Sequence, residues 1–172
     1  MINPDLLADW RPFFLMVAGA TASLTGLLFV ALSLHVRHIA SQPLYRYRAR
    51  LSLGSLMAIL VIAGLTLIPR QSALELGVKE IFPLGAMVIL LVLGLLELRQ
   101  IANAGRRPYV IRTAVALALV VVAGVGDILL ATGRPVGLEI LALCCVVFLA
   151  WLVFNAWALV IVLADETTGK HV

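Results

Sequence analysis

Formal charge is scarce in this 172-residue chain. Asp, Glu, Lys and Arg make up 13% of it, against 63% hydrophobic residues and a mean hydropathy of +1.10. A soluble domain of this size cannot hide so much apolar surface, whereas a bilayer accepts it. Cysteine is nearly absent too. The two present, Cys144 and Cys145, are neighbours in one apolar run, so they offer no disulfide framework and read as buried small residues. A Gly-rich phosphate loop, a Ser-His-acid set and a cysteine pair at metal-ligand spacing are all missing, so neither cofactor nor metal is expected. Proline avoids the middles of the apolar runs: Pro12, Pro43, Pro69, Pro83, Pro108 and Pro135 fall in connections or first turns. Unbroken helices are expected, unlike the interrupted ones of many secondary transporters.

What the chain does have is long uncharged runs. Residues 12–36 and 51–69 carry no formal charge, and neither do 140–164. The run from Ile81 meets Glu97 only at its edge, and Thr113 to Gly133 is interrupted by Asp127 alone. A helix needs about 20 apolar residues to cross the hydrocarbon. Helices are therefore predicted at 12–36, 51–69, 81–98, 112–133 and 138–164, an all-α integral membrane bundle of five spans forming one domain over 1–172. Ala18-Gly19-Ala20 resembles a leader cleavage site, but Asp5 and Asp9 precede it and the apolar run continues to Leu34. The first run reads as a span.

Lys and Arg set the orientation. Arg37, Arg46, Arg48 and Arg50 lie in the first connection, Arg99, Arg106, Arg107 and Arg112 in the third, and Lys170 in the tail. The opposite side holds Arg11, Arg70, Lys79 and Arg134. The expected topology puts the N-terminus outside and the C-terminus in the cytoplasm. These arginines sit at helix ends, which suits anionic lipid head groups and argues against nucleic acid. Tyr45 and Tyr47, set among Arg46, Arg48 and Arg50, fit an interfacial belt.

An offset of 62 aligns Arg37-His38-Ile39-Ala40 with Arg99-Gln100-Ile101-Ala102, Arg50 with Arg112 and Gly64 with Gly126. Two tandem hairpins plus a fifth helix would give this pattern, as would any two hairpins with basic turns. The first helix is rich in small residues. Ala18, Ala22 and Gly26 form one row and Gly19 with Ser23 another, the surface that close helix contact in lipid requires. This places the first helix centrally and the Leu- and Val-rich third helix towards lipid. The same face would also serve a homo-oligomer or another membrane protein. The run from Ala18 to Ser33 resembles the first helix of a group of small uncharacterised bacterial inner-membrane proteins. The resemblance covers about a fifth of the chain; it implies a bacterial plasma membrane and no activity.

Asp127 is the foremost candidate for chemistry, because an ionisable group within a span costs about 2.5 kcal/mol or more unless paired, hydrated or protonated. Thr21 and Thr66 should lie at similar depth, and Arg134 shares its helical face. Gly124-Val125-Gly126-Asp127 reads as the Gly-x-Gly-Asp pattern of intramembrane aspartyl proteases, whose chemistry needs a second carboxylate. No second intramembrane Asp is present in the expected spans. Asn155 shares a face with Cys144, Phe148 and Trp151 and is expected to bond across to another helix. Trp151 and Trp157 sit deeper than an aromatic belt requires, which suggests an enclosed or oligomeric surface. His35, His38 and Glu97 at one boundary offer a weaker metal or pH-sensing set. Three roles follow: an interaction or regulatory subunit without catalysis, a small oligomeric channel or transporter using Asp127 and Asn155, and, third, an intramembrane enzyme. An enzyme would need a titratable group within reach of Asp127.

Overall fold

The computed structural model describes residues 4–98 and 107–167. Arg106 and the stretch 99–102, which carries the second half of the aligned repeat, lie outside the described residues, as do the side chains of His38, Glu97 and Arg107. Six helices are present among the described residues: α1 (Pro4–Leu34), α2 (Val36–Ser41), α3 (Pro43–Thr66), α4 (Ala73–Leu98), α5 (Arg107–Ala131) and α6 (Val136–Thr167). All but the short α2 are long and apolar enough to cross a membrane.

Every long helix begins earlier in the sequence than the uncharged runs indicate, and in α1, α3 and α4 the shift is about two turns. α4 starts at Ala73 rather than Ile81, because Ser72 and Glu75 form a capping box. The Ser72 backbone N–H donates to the Glu75 carboxylate, and the Glu75 N–H donates to Ser72 Oγ, each at 3.2 Å. Two orphan amides are thereby satisfied and an acid stands at the positive end of the helix. Lys79 and Glu80, read from sequence as connection, become part of the span. Pro12 and Pro83 likewise lie deeper inside α1 and α4 than the first turns expected for them, yet both helices continue through. α3 opens with Pro43 at its first turn, where the missing amide is harmless.

The helix that holds the bundle together is α3, which packs against α1, α2, α4 and α6, while α5 joins α4 to α6. The first helix is not central. It is the least buried of the five spans, and its side with Gly19, Ala22, Ser23 and Gly26 faces outward. A Cβ built on Gly19 or Gly26 meets nothing within 4 Å. Ala18 is half-buried. The packing face of α1 is instead a row of larger residues, Phe14, Val17, Thr21, Leu28 and Leu32. Its hydroxyls bond back along the helix: Thr21 to Val17 O, Ser23 to Gly19 O and Thr25 to Thr21 O, at 2.7 to 2.9 Å.

Close backbone contact occurs elsewhere. In the α5–α6 hairpin, Arg134 N–H donates to Leu129 O and Gly133 N–H to Leu130 O, both at 2.9 Å, with Gly133 at φ +85°. This is a Schellman ending, which favours glycine at that position. Just beyond it, a Cβ on Gly137 would stand 2.4 Å from Gly126 O and 2.5 Å from Leu130 N. Both obstacles are backbone, so neither can rotate away. A Cβ built on Gly64, the residue aligned with Gly126 in the repeat, would meet nothing within 4 Å, so the two glycines do different work.

Gly137→Ala is expected to destabilise the protein by about 1–3 kcal/mol through overpacking. Gly26→Ala, in open surroundings, should leave stability unchanged or raise it slightly. Thermal unfolding in one detergent checks both. Equal behaviour of the two variants would contradict the packing described.

Candidate functional site

Asp127 lies four residues before the end of α5, about 6 Å along the helix by its rise. Its side chain points inward, with 4% of the residue exposed. Opposite stands Glu80 of α4, fully buried and near enough to Asp127 for the two carboxyl groups to interact. Gly77, three residues before Glu80, lets the helices approach: a Cβ there would be 3.0 Å from Ala131 Cβ and 3.1 Å from Asp127 O. Thr66, at the end of α3, completes the group with its Oγ1 3.1 Å from Glu80 Oε1 and 2.9 Å from its own helix's Ile62 O.

The α3–α4 turn sets this geometry. Gln71 donates from Nε2 to Leu65 O at 2.6 Å and, more weakly, to Thr66 O at 3.4 Å, capping α3. Its own Oε1 accepts from Lys79 Nζ at 3.3 Å. One side chain thus ties the end of α3 to the second turn of α4, and it draws the nearest ammonium to itself. Glu80 Oε2 and both carboxylate oxygens of Asp127 are buried with no partner. Arg134, expected on the same helical face, makes no bond to Asp127, and Thr21 bonds within its own helix instead of joining the site.

The second titratable group that sequence reasoning sought is therefore present as Glu80. Cutting the spans at formal charges placed it outside the membrane. The capping box Ser72-x-x-Glu75, legible in the sequence, was the signal that would have moved α4 back by two turns.

Asn155 belongs to a different place. Its Nδ2 donates at 2.7 Å to Trp151 O of its own helix, so it does not bridge to a neighbour. With Ser52, Ser55, Thr113, Arg48 and Arg112 it lines a cleft towards the opposite end of the bundle. Tyr47 lines it too and is buried, its hydroxyl 2.6 Å from Thr113 Oγ1; Tyr45 is also buried. These two rings are interior rather than an interfacial belt. Along α3, eleven residues separate Ser55 from Thr66, about 16 Å of helix. An apolar layer that includes Ile59, Ile62, Met87, Leu141 and Phe148 occupies the interval and lines a small cavity there. The structure brings Asp127 and Thr66 together and keeps Asn155 apart from them.

Among the remaining expected residues, Arg37, Arg46 and Arg50 are exposed and Arg48 and Arg112 half-buried. Trp157 is 65% exposed, while Trp151 is half-buried in the cleft. His35 places Nδ1 3.1 Å from Ala31 O. Among the described residues no group of three or more His, Cys, Asp or Glu is gathered as a metal site. Cys144 and Cys145 are free and buried.

The fold and its interior thus define a helical-bundle protein suited to multiple membrane crossings, with a carboxyl pair near one end. No protein-family model matches the chain, and neither a curated protein nor a solved structure matches it.

Thr66→Val keeps the shape of the side chain and strands Glu80 Oε1. It should cost about 1–3 kcal/mol in the wild-type background, and far less once Glu80 is replaced by leucine. Unfolding measurements on the four proteins check this; the same cost in both backgrounds would contradict the contact.

Proposed function

We propose that this chain is a non-catalytic interaction or regulatory subunit of a bacterial inner membrane, self-associating through the outer side of α1. The single observation that carries the reading is the placement of Gly19, Ala22, Ser23 and Gly26. They form a smooth surface that no other part of the described chain covers. In lipid there is no hydrophobic drive to bring helices together, and such surfaces gain from close contact with another helix. The arginine-rich connections support an N-terminus outside and a C-terminus in the cytoplasm, with Arg37, Arg46, Arg48, Arg50 and Arg112 near anionic head groups. The first-helix resemblance supports the bacterial membrane.

Catalysis fits the interior less well. Glu80 has no exposed surface and Asp127 almost none, which leaves little room for a scissile bond between them. A channel or transporter would need a polar line through the bundle, and the apolar layer beneath Thr66 interrupts it.

Association is read by single-molecule photobleaching of the labelled protein in bilayers of defined lipid. Wild type should form oligomers, and Gly26→Leu or Ala22→Leu should weaken them by at least about tenfold, near 1.4 kcal/mol. A wild type that stays monomeric at physiological density, or oligomers indifferent to both substitutions, would sink the reading.

A further inference from the structure

The geometry points to a further site, which we propose is a binding site for one proton, shared between the carboxyl groups of Glu80 and Asp127 and steadied by Thr66. The site goes beyond the association reading and stands on separate residues.

Three carboxyl oxygens, Glu80 Oε2 and both of Asp127, are sealed from solvent with no donor. Two ionised carboxylates in contact within a dry interior repel each other strongly, and no described residue offsets that repulsion. Among the described residues, the elements packed around the pair bring no counter-charge to it. From α3 comes Thr66, a neutral hydroxyl. On α4, Lys79 turns to Gln71. From α6 come the thiols of Cys144 and Cys145, near enough to interact electrostatically with the pair and unable to supply a positive charge. Beyond the end of α5, Arg134 makes no bond to Asp127. A single proton between Glu80 Oε2 and an Asp127 oxygen resolves the contact: one carboxylic acid donates and one carboxylate accepts.

Thr66 adds a second position for the exchange. Its hydroxyl has one hydrogen and two acceptors in reach, Ile62 O and Glu80 Oε1. When the hydrogen turns to Glu80, it stabilises the charged form of that group. When it turns to Ile62, Thr66 Oγ1 accepts from a protonated Glu80 instead. The site holds its proton in either arrangement. Loss of the proton leaves two facing anions at the point where Gly77 brings α4 against α5, so occupancy is coupled to the separation of these helices.

The test is infrared spectroscopy of the full chain in lipid nanodiscs, with the protonated-carboxyl C=O stretch as the readout. At pH 7 the wild type should show this band, and alkaline titration should remove it with release of one proton per chain. The band should be absent from the double variant Glu80→Gln, Asp127→Asn, and replacing sodium by choline should leave it unchanged. Labelling the Glu or Asp carboxyls with carbon-13 in the unaltered sequence assigns the band independently of whether the variant folds. No band at pH 7, a band insensitive to both labels, or a band that sodium abolishes would overturn the proton site, the last in favour of a metal cation. None of these results bears on oligomer formation, so failure here is distinguishable from failure of the association reading.

Discussion

Two carboxyl groups held face to face in an apolar interior constrain this protein more than any other contact. An isolated ionisable side chain within a span is costly, and a like pair is costlier unless geometry and protonation are both arranged. Much of the surrounding structure serves that arrangement. The capping box at Ser72 and Glu75 begins α4 early enough to carry Glu80 inside. Gln71 fixes the end of α3 so that Thr66 meets Glu80, and it occupies Lys79. Gly77 permits the α4–α5 approach, and the tight α5–α6 hairpin, closed by Gly133 and Gly137, holds the end of α5 that presents Asp127.

The rest of the bundle follows a simpler rule. From Thr66 downward the interior runs from carboxyl pair to apolar layer to polar cleft. This layering separates the two polar regions, so each can be altered without the other. Close contacts in lipid come from glycine in both hairpins: Gly126 against Gly137, and Gly94 beneath the Tyr47 ring. The small residues of α1 take no part in this packing and leave one side of the molecule smooth.

The five spans were legible from hydropathy alone, because lipid demands long uncharged runs and little else in the chain supplies them. Helix starts were not, since charged residues in the first two turns of α4 belong to the helix even though they interrupt the run. Asp127 stood out in the sequence because it breaks an otherwise apolar segment, whereas Glu80 was masked by Glu75 and Lys79 beside it. The position of α1 misled for a related reason. Small residues show that a face suits close contact, but not whether the partner lies in the same chain. The arginines beside Tyr47 suggest an interfacial ring, and only its contact across the bundle with Thr113 reveals it as interior.

The claim on which the rest depends is that Glu80 and Asp127 act as one unit in the folded state. A double-mutant cycle with Glu80→Leu and Asp127→Leu, followed by reversible unfolding in bilayer-like detergent, measures this directly. Each single variant should lose about 1–3 kcal/mol, because it strands the other carboxyl. The double variant should lose much less than the sum of the two, since no polar group is left behind. Strictly additive losses would show that the two carboxyls do not depend on each other, and would contradict the account.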